Sequence, residues 1–168
     1  MAVDFFSGVC QNGDSAQDVT TAATFGLCDD RPRARAYLDH ATPAQWVAVV
    51  DNRSEHEVTF TSIDNCLEIR RSDGNMESRC DGMLTYAGSI IFVELKEKNR
   101  SFLEEGLGQL ETTILLFAAA HPERTYLTRK AYLANSRHPR FAAGRNTRAQ
   151  QFRDRTGITP LVENTIVL

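Results

Sequence analysis

The feature that most constrains the fold is a hairpin signal in the middle of the chain. Residues 79–86 and 89–96 each have the composition of a strand, and Ala87-Gly88 is a tight connection between them. A two-residue turn pairs Tyr86 with Ser89 and, further along, Asp81 with Glu94. Directly opposed residues share one face of a sheet, with Cβ atoms about 4.5–5.5 Å apart. The pattern therefore predicts that two carboxylates converge at one end of the hairpin.

The paired acids predict a site for a divalent cation. Like charges directly opposite each other destabilise a hairpin, and hard cations such as Mg²⁺ prefer carboxylate oxygens. Lys96 lies two residues after Glu94, so it shares the same face of the strand. A metal held by carboxylates activates water, and a nearby lysine orients or deprotonates that water or stabilises developing charge. Asp81, Glu94 and Lys96 thus carry the groups that phosphodiester hydrolysis requires, although a solvated strand end also produces Glu-x-Lys.

The sequence before the hairpin predicts two more strand pairings. Residues 67–70, followed by a turn at 72–75, would complete a three-strand meander with the hairpin. Residues 46–50 and 58–63 would form an antiparallel pair across the intervening turn. Elements before residue 64 are expected to be additions to the core.

The sequence after the hairpin predicts a helix followed by further strands. The helix is indicated by an apolar stripe at helical spacing, formed by Leu103, Leu107, Leu110, Ile114 and Phe117. Asn99 or Ser101 would cap its N-terminus, and His121-Pro122 would end it. The later elements are a strand at 125–133, a short basic helix at 147–155 and a last strand at 165–168. This order predicts a single α/β domain over residues 1–168 with a mixed sheet.

Composition indicates a globular protein. The chain has 168 residues, of which 42% are hydrophobic, and its longest apolar runs are shorter than the roughly 20 residues of a membrane span. The N-terminus lacks the pattern of a signal peptide. We therefore expect a cytoplasmic protein without membrane contact. The cysteines form no CxxC pair, so we expect four reduced and mostly buried thiols, at Cys10, Cys28, Cys66 and Cys80.

Charge is unevenly distributed along the chain. Residues 124–155 contain nine Lys or Arg and one acid, a net +8, so the other residues carry −11 within the total of −3. A basic segment on an acidic body is typical of a polyanion-facing side beside a cation-binding side, although an ordinary solvated face has the same composition. The candidate nucleic-acid contacts are Arg129, Lys130, Arg137, Arg140, Arg145 and Arg148.

The segment Cys80-Asp81-Gly82, followed by Ile90-Ile91-Phe92-Val93-Glu94-Leu95-Lys96, resembles the PD-(D/E)xK nuclease superfamily of restriction enzymes, RecB-like nucleases and Holliday-junction resolvases. The resemblance covers residues 67–133 and implies a restriction-endonuclease-like core with Mg²⁺ or Mn²⁺ as cofactor. It assigns Asp81, Glu94 and the backbone carbonyl of Leu95 to the metal. Lys96 would be the catalytic lysine, and Gln109 matches a helix glutamine of RecB-like members.

The chain departs from the family pattern at two points. Cys80 stands where the family name places Pro. The acid that many members carry before the meander is not evident, and the candidates are Glu55, Glu57, Asp64 and Glu68. Glu68 is favoured, because a meander centred near residues 73–74 would bring it opposite Asp81.

Three functions stay open on the sequence alone. The favoured one is a metal-dependent DNA nuclease, with an endonuclease favoured over an exonuclease and both left open. The second is a non-catalytic interaction, immunity or accessory module on the same fold, which the absence of a clear third acid favours. An RNA-directed nuclease is the third, because phosphate contacts carry no base information. Restriction-like members often dimerise, so a homodimer is an open alternative to a monomer.

Overall fold

Two mixed sheets and two α-helices make up the part of the chain that the computed structural model describes, residues 3–97, 102–137 and 147–168. In chain order the elements are β1 (Gln17–Thr20), β2 (Thr24–Cys28), β3 (Tyr37–Asp39), a 3₁₀ turn (Pro43–Gln45), β4 (Ala48–Asp51), β5 (Val58–Ser62), β6 (Gly82–Tyr86), β7 (Ser89–Lys96), α1 (Phe102–Ala120), β8 (Thr128–Asn135), α2 (Thr147–Thr156), β9 (Pro160–Leu161) and β10 (Thr165–Val167). The predicted α/β class is confirmed.

The central sheet has six strands in the order β1-β5-β6-β7-β8-β9. Strands β5, β6 and β7 form an antiparallel meander, and β6 pairs with β7 from Tyr86–Ser89 to Gly82–Val93. This is the predicted register, which places Asp81 opposite Glu94 directly beyond the last pair. Helix α1 then leads to β8, which runs parallel to β7. Parallel neighbours need a crossover connection, and α1 provides it.

Strand β7 is buried along its whole length because both faces of the central sheet are covered. Ile90 and Phe92 belong to an apolar core shared with Leu107 and other residues of α1. Ile91 and Val93 belong to a second core, shared with a four-stranded sheet in the order β10-β4-β2-β3. The helices, the central sheet and the four-stranded sheet thus form three layers around two cores.

The predicted strand at residues 67–70 is wrong. This segment forms only an isolated bridge between Arg70 and Met76, and the first strand of the meander is β5, whose Ser62 pairs with Gly82. The chain between β5 and β6 is a long excursion that returns to the same edge. A turn signal at residues 72–75 is present in either arrangement, so the local sequence does not separate them.

The predicted pairing of residues 46–50 with 58–63 is also wrong, because β4 and β5 lie in different sheets. Strand β4 pairs with β2 and β10 instead. At the end of β4, the Asn52 side-chain amide donates to the carbonyls of Ala22 and His56 at 3.0 and 2.9 Å. These bonds hold a turn that passes the chain from one layer to the next rather than closing a hairpin.

The helix predicted after the hairpin is confirmed as α1, which ends at Ala120, directly before His121-Pro122. Four members of its apolar stripe are buried, and Leu103 is partly buried. Gly106 allows close packing on β8, because a Cβ there would lie 2.5 Å from a methyl group of Leu133. The cap candidates Asn99 and Ser101 lie outside the described residues. The predicted short helix and last strand are present as α2 and β10.

Cys10 and Cys66 form a disulfide, which corrects the prediction of four reduced thiols. Cys28 and Cys80 are free and buried, as predicted. The N-terminal segment is also held by Gln11 N–H, which donates to the Cys66 carbonyl at 3.0 Å. The two cysteines meet through tertiary packing of distant segments, which spacing along the chain does not reveal.

The disulfide bears on where the protein works. Disulfides persist in oxidising compartments and are rare in the reduced cytosol. The disulfide therefore gives no support to the cytoplasmic expectation, which stays a prediction. Among the described residues, no helix is long and apolar enough to cross a membrane.

Reduction of the Cys10–Cys66 disulfide should lower the free energy of unfolding by about 4 kcal/mol, since the bond joins residues separated by 56 positions and constrains the unfolded chain. Urea denaturation with and without a reductant measures the difference. A double variant, Cys10→Ser with Cys66→Ser, should have the lower stability in both buffers. Wild-type stability that does not respond to the reductant would contradict the prediction.

Candidate active site

The carboxylates of Asp81 and Glu94 lie at the open end of the β6–β7 hairpin, and each is bonded to the backbone of the other strand. Leu95 N–H donates to Asp81 Oδ2 at 2.7 Å, and Asp81 N–H donates to Glu94 Oε2 at 3.2 Å. Asp81 is 6% exposed and Glu94 is 1% exposed. The structure therefore brings the two acids together as the hairpin register predicts.

Lys96 extends this cluster toward α1. Its Nζ atom lies 2.8 Å from Glu94 Oε1, 3.1 Å from Glu105 Oε1 and 2.6 Å from Gln109 Oε1. The Gln109 amide in turn donates to the Arg79 carbonyl at 3.0 Å. Gln109 thus ties the lysine to the segment that enters β6. The sequence analysis missed Glu105, which lies four residues before Gln109 and hence on the same face of α1.

The backbone around Asp81 is anchored on both sides. Cys80 N–H donates to Thr113 Oγ1 on α1 at 2.8 Å. After Asp81, a Cβ on Gly82 would lie 2.5 Å from the ring of Phe60. Only glycine fits this close approach of β6 to β5, so the Asp81-Gly82 step has a structural reason as well as a chemical one.

The cluster opens into a cleft of about 430 Å³, to which three more acids contribute, Asp29, Asp64 and Glu97. Asp64, two residues after β5, forms an ion pair with Arg79 at 2.7 Å. Asp29 follows directly on β2 in the four-stranded sheet. Asp64 is one of the four acids proposed from the sequence, whereas Asp29 was missed. Its only sequence signal is an acidic pair, Asp29-Asp30, at the end of an apolar strand.

Glu68, the favoured third acid, does not line this cleft. It forms an exposed ion pair with Arg70 and borders a different surface depression, formed with the N-terminal segment. The prediction depended on a strand at residues 67–70, which the chain does not form. Glu55 and Glu57 are exposed in the connection between β4 and β5.

Burial and neighbouring negative charges raise the pKa values of Asp81 and Glu94. Burial raises the pKa of Asp81 to about 7, and the charge of Asp29 adds to the shift. Burial, and then the charge of Asp81, hold the pKa of Glu94 well above its ordinary value. Burial lowers the pKa of Lys96, but contact with the neighbouring carboxylates has a larger opposite effect. The net shift of the Lys96 pKa is therefore upward. The charge of Lys96 thus offsets part of the repulsion between Asp81 and Glu94.

Two of the predicted nucleic-acid contacts are far from the cleft. Arg129 and Lys130 lie at the start of β8, where Arg129 pairs with Ile90. Lys96 is at the other end of β7, six residues or roughly 20 Å away. They lie at the end of the sheet opposite the cleft, because β8 runs parallel to β7, and their contact with nucleic acid stays a prediction.

The other predicted basic contacts have different positions. Arg148 forms ion pairs with Glu104 and Glu111 at 3.1 and 2.7 Å, so its charge joins α2 to α1. Arg137 is exposed and follows β8 at the cleft end, near Asn135, the pairing partner of Lys96. The remaining two, Arg140 and Arg145, lie outside the described residues.

The donor set of the cleft suits a hard divalent cation that keeps part of its water shell. Mg²⁺ is commonly held by one or two carboxylates, with waters and substrate phosphates completing its octahedron. Asp81 and Glu94 supply two carboxylates, and Leu95 also lines the cleft. Among the residues that the structure describes, no three His, Cys, Asp or Glu side chains form a ready-made ligand cluster. Two carboxylates beside the cleft wall at Leu95 are the donors that Mg²⁺ or Mn²⁺ would use while it keeps several waters.

Comparisons with known proteins give no family assignment. No family model, curated protein or solved structure matches this chain. The motif resemblance consequently stays a prediction, and the chemistry of the cleft carries the functional argument.

Replacement of Asp81 by Asn should stabilise the metal-free protein near pH 8. The pKa of Asp81 is about 7 in the folded protein against an ordinary value of 3.8, so the folded state binds the extra proton and wild-type stability falls between about pH 4 and pH 7. This shift sets an upper bound of about 4 kcal/mol on the gain. Asn retains an oxygen that can accept the Leu95 N–H bond.

Urea denaturation of both proteins in EDTA, from about pH 4 to pH 8, measures this effect. The difference should disappear toward the acidic end, where Asp81 is protonated in both states. A variant that is less stable than wild type near pH 8 would contradict the paired-carboxylate geometry.

Proposed function

We propose that this protein hydrolyses phosphodiester bonds in nucleic acid, DNA in the first instance, with Mg²⁺ or Mn²⁺ bound at Asp81 and Glu94. The observation that carries the proposal is the pair of buried carboxylates on adjacent strands, with Lys96 Nζ 2.8 Å from Glu94. Burial of like charges is costly, and strongly shifted acids in a cleft are typical of functional sites. The three residues are also those that the PD-(D/E)xK resemblance assigns to metal binding and catalysis.

The topology supports the same proposal. A meander of β5, β6 and β7, then α1, then a parallel β8, is the order that a restriction-endonuclease-like core implies. The acids lie where β6 begins and where β7 ends, so both reach one edge of the sheet. The four-stranded sheet is then an addition to this core.

The charge of the cleft explains why a cation is required. Its lining contains six carboxylates and one lysine. A phosphodiester would be repelled by such a surface unless positive charge intervened. A divalent ion held there supplies that charge and acidifies a bound water.

Among the protein side chains of the cleft, Lys96 is the one best placed to act on the reacting phosphate. Its Nζ atom donates to the Gln109 side-chain oxygen, so we assign it as a donor that stabilises charge on the phosphoryl oxygens rather than as a base. Gln109, at 2.6 Å from Nζ, sets the direction of the ammonium group. Asp81 and Glu94 hold the cation, each oriented by a backbone N–H of the opposite strand.

A non-catalytic interaction module is the second candidate function. The observation that favours it is that Asp81 Oδ2 and both Glu94 oxygens already have partners within the protein. Such a module would bind its partner without needing a divalent ion.

Substitution of Glu94 by Gln should abolish Mn²⁺ binding and reduce plasmid nicking by at least about 100-fold, because one of the two carboxylates is lost while the side-chain shape is kept. Calorimetric titration with Mn²⁺ and a nicking assay on the same samples measure both effects. Glu57→Gln, an exposed acid away from the cleft, is the matched control and should behave as wild type.

The outcomes separate the candidate functions. Nicking by Glu94→Gln at the wild-type rate would contradict the proposed mechanism. A wild-type protein that binds no Mn²⁺ would favour the interaction module. Cleavage of RNA but not of plasmid DNA under the same conditions would retain the mechanism and change the substrate.

A further inference from the structure

A substrate strand leaving the acidic cleft needs positive charge at its rim. This requirement rests on the proposed function, since a nucleic acid carries one charge per phosphate and its affinity depends on neutralising them. Arg129 and Lys130 lie at the far end of the sheet, and Arg148 is paired with Glu104 and Glu111. Of the described candidates, Arg137 is exposed at the cleft end of β8, and further phosphates of the strand need further cations.

The connection between β2 and β3 brings such cations to the cleft. We call residues 29–36 the β2–β3 loop; it begins at Asp29, which lines the cleft, and carries Arg31, Arg33 and Arg35. The Cα atoms of Asp29 and Arg31 are at most about 7 Å apart, because two residues span no more than this distance. Phosphates of one strand in a duplex follow each other at about 3.4 Å along the helix axis. The backbone of Arg31 is therefore within about two such phosphate steps of Asp29, a residue of the cleft lining.

A second opening lies beside the cleft at this loop. It has a volume of about 230 Å³, and its lining includes Arg31, Arg35, Tyr37 and Asn65. Asn65 directly follows Asp64, which lines the cleft. The Asn65 side-chain amide donates to Asp64 Oδ2 at 3.1 Å, so residues that line the two openings are in direct contact there.

Arg31 is the available cation of this second opening. Its guanidinium lies over the Tyr37 ring, 4.2 Å from the ring centroid, and the Tyr37 hydroxyl donates to Asp30 at 2.9 Å. Among the ion pairs of the described residues Arg31 has none, whereas Arg35 holds Asp18 through two nitrogen atoms at 2.9 Å each. A guanidinium held by a ring and exposed to solvent is ready to bind phosphate oxygens with little loss of entropy.

We propose that Arg31 binds a backbone phosphate of the nucleic-acid strand next to the bond that is hydrolysed, in the opening between the β2–β3 loop and Asn65. The four-stranded sheet then has a role in substrate binding, because it supplies both an acid of the cleft and the cation beside it. The contact is to phosphate, so it places the strand and carries no base preference.

Binding of a fluorescein-labelled DNA duplex, followed by anisotropy in Ca²⁺ over a series of NaCl concentrations, tests this assignment. Arg31→Ala should bind about tenfold more weakly. The slope of log K against log salt should become shallower by about 0.9, the value for one phosphate contact with duplex DNA. Arg31→Lys, which keeps the charge, should retain the wild-type slope.

Arg124→Ala is the matched control. Arg124 also lies over an aromatic ring, that of Phe6, at 3.8 Å, but it follows the end of α1 that is remote from the cleft. It should bind DNA as wild type does. All variants should bind Mn²⁺ like wild type in calorimetry, since none removes a carboxylate of the cleft.

An affinity and slope for Arg31→Ala equal to those of wild type would overturn the assignment while leaving the proposed nuclease intact. Weaker binding with an unchanged slope, or with loss of Mn²⁺ binding, would also overturn it, because Arg31 would then act through the fold. A wild-type protein that binds neither Mn²⁺ nor DNA would instead contradict the proposed function itself.

Discussion

The pairing of β6 with β7 is the interaction on which the rest of the structure depends. β7 is apolar on both faces from Ile90 to Val93, so it is stable only if both faces are covered. Helix α1 covers one face and the four-stranded sheet covers the other. The same strand ends with Glu94 and Lys96. Their side chains lie on the face that α1 covers, beyond the last apolar residues of the core. The cleft is therefore a consequence of where the apolar run ends.

The cleft is a place where the chain departs from maximal stability. Asp81 and Glu94 are buried beside each other, and the pKa of each is raised. Apolar residues of similar size would avoid this repulsion. Lys96 adds a positive charge beside the two acids. Its position is fixed by Gln109, which bonds both to Lys96 Nζ and to the Arg79 carbonyl. Departures of this kind from maximal stability are most common at functional sites.

The four-stranded sheet changes the character of the site as well as covering the core. It brings Asp29 to the cleft and places the β2–β3 loop beside it. The N-terminal segment is fastened to the same region by the Cys10–Cys66 disulfide, two residues beyond Asp64. One wall of the cleft is thus built by the meander and α1, and the other by segments outside the motif. Only the first wall carries the residues of the recognisable pattern.

The parts of the site that could be predicted are those governed by local periodicity. A two-residue turn and strict alternation along strands determine that Asp81, Glu94 and Lys96 share one face. The spacing of the apolar stripe determines α1 and places Gln109 on it. The meander was predicted with the wrong first strand, because residues 67–70 and 58–62 both have strand character and only tertiary packing selects β5.

The sequence by itself thus determined the hairpin register, the helix that follows and the central acid–lysine cluster, since each depends on neighbours along the chain. Only the tertiary structure decided that Asp29 and Asp64 join the cleft while Glu68 does not, and that Cys10 meets Cys66. It also decided that Arg148 pairs within the protein while Arg31 lies over the Tyr37 ring and lines a second opening. The physical reason is that these groups meet through the packing of separate layers. The spacing of residues along the chain does not predict which residues of different layers come into contact.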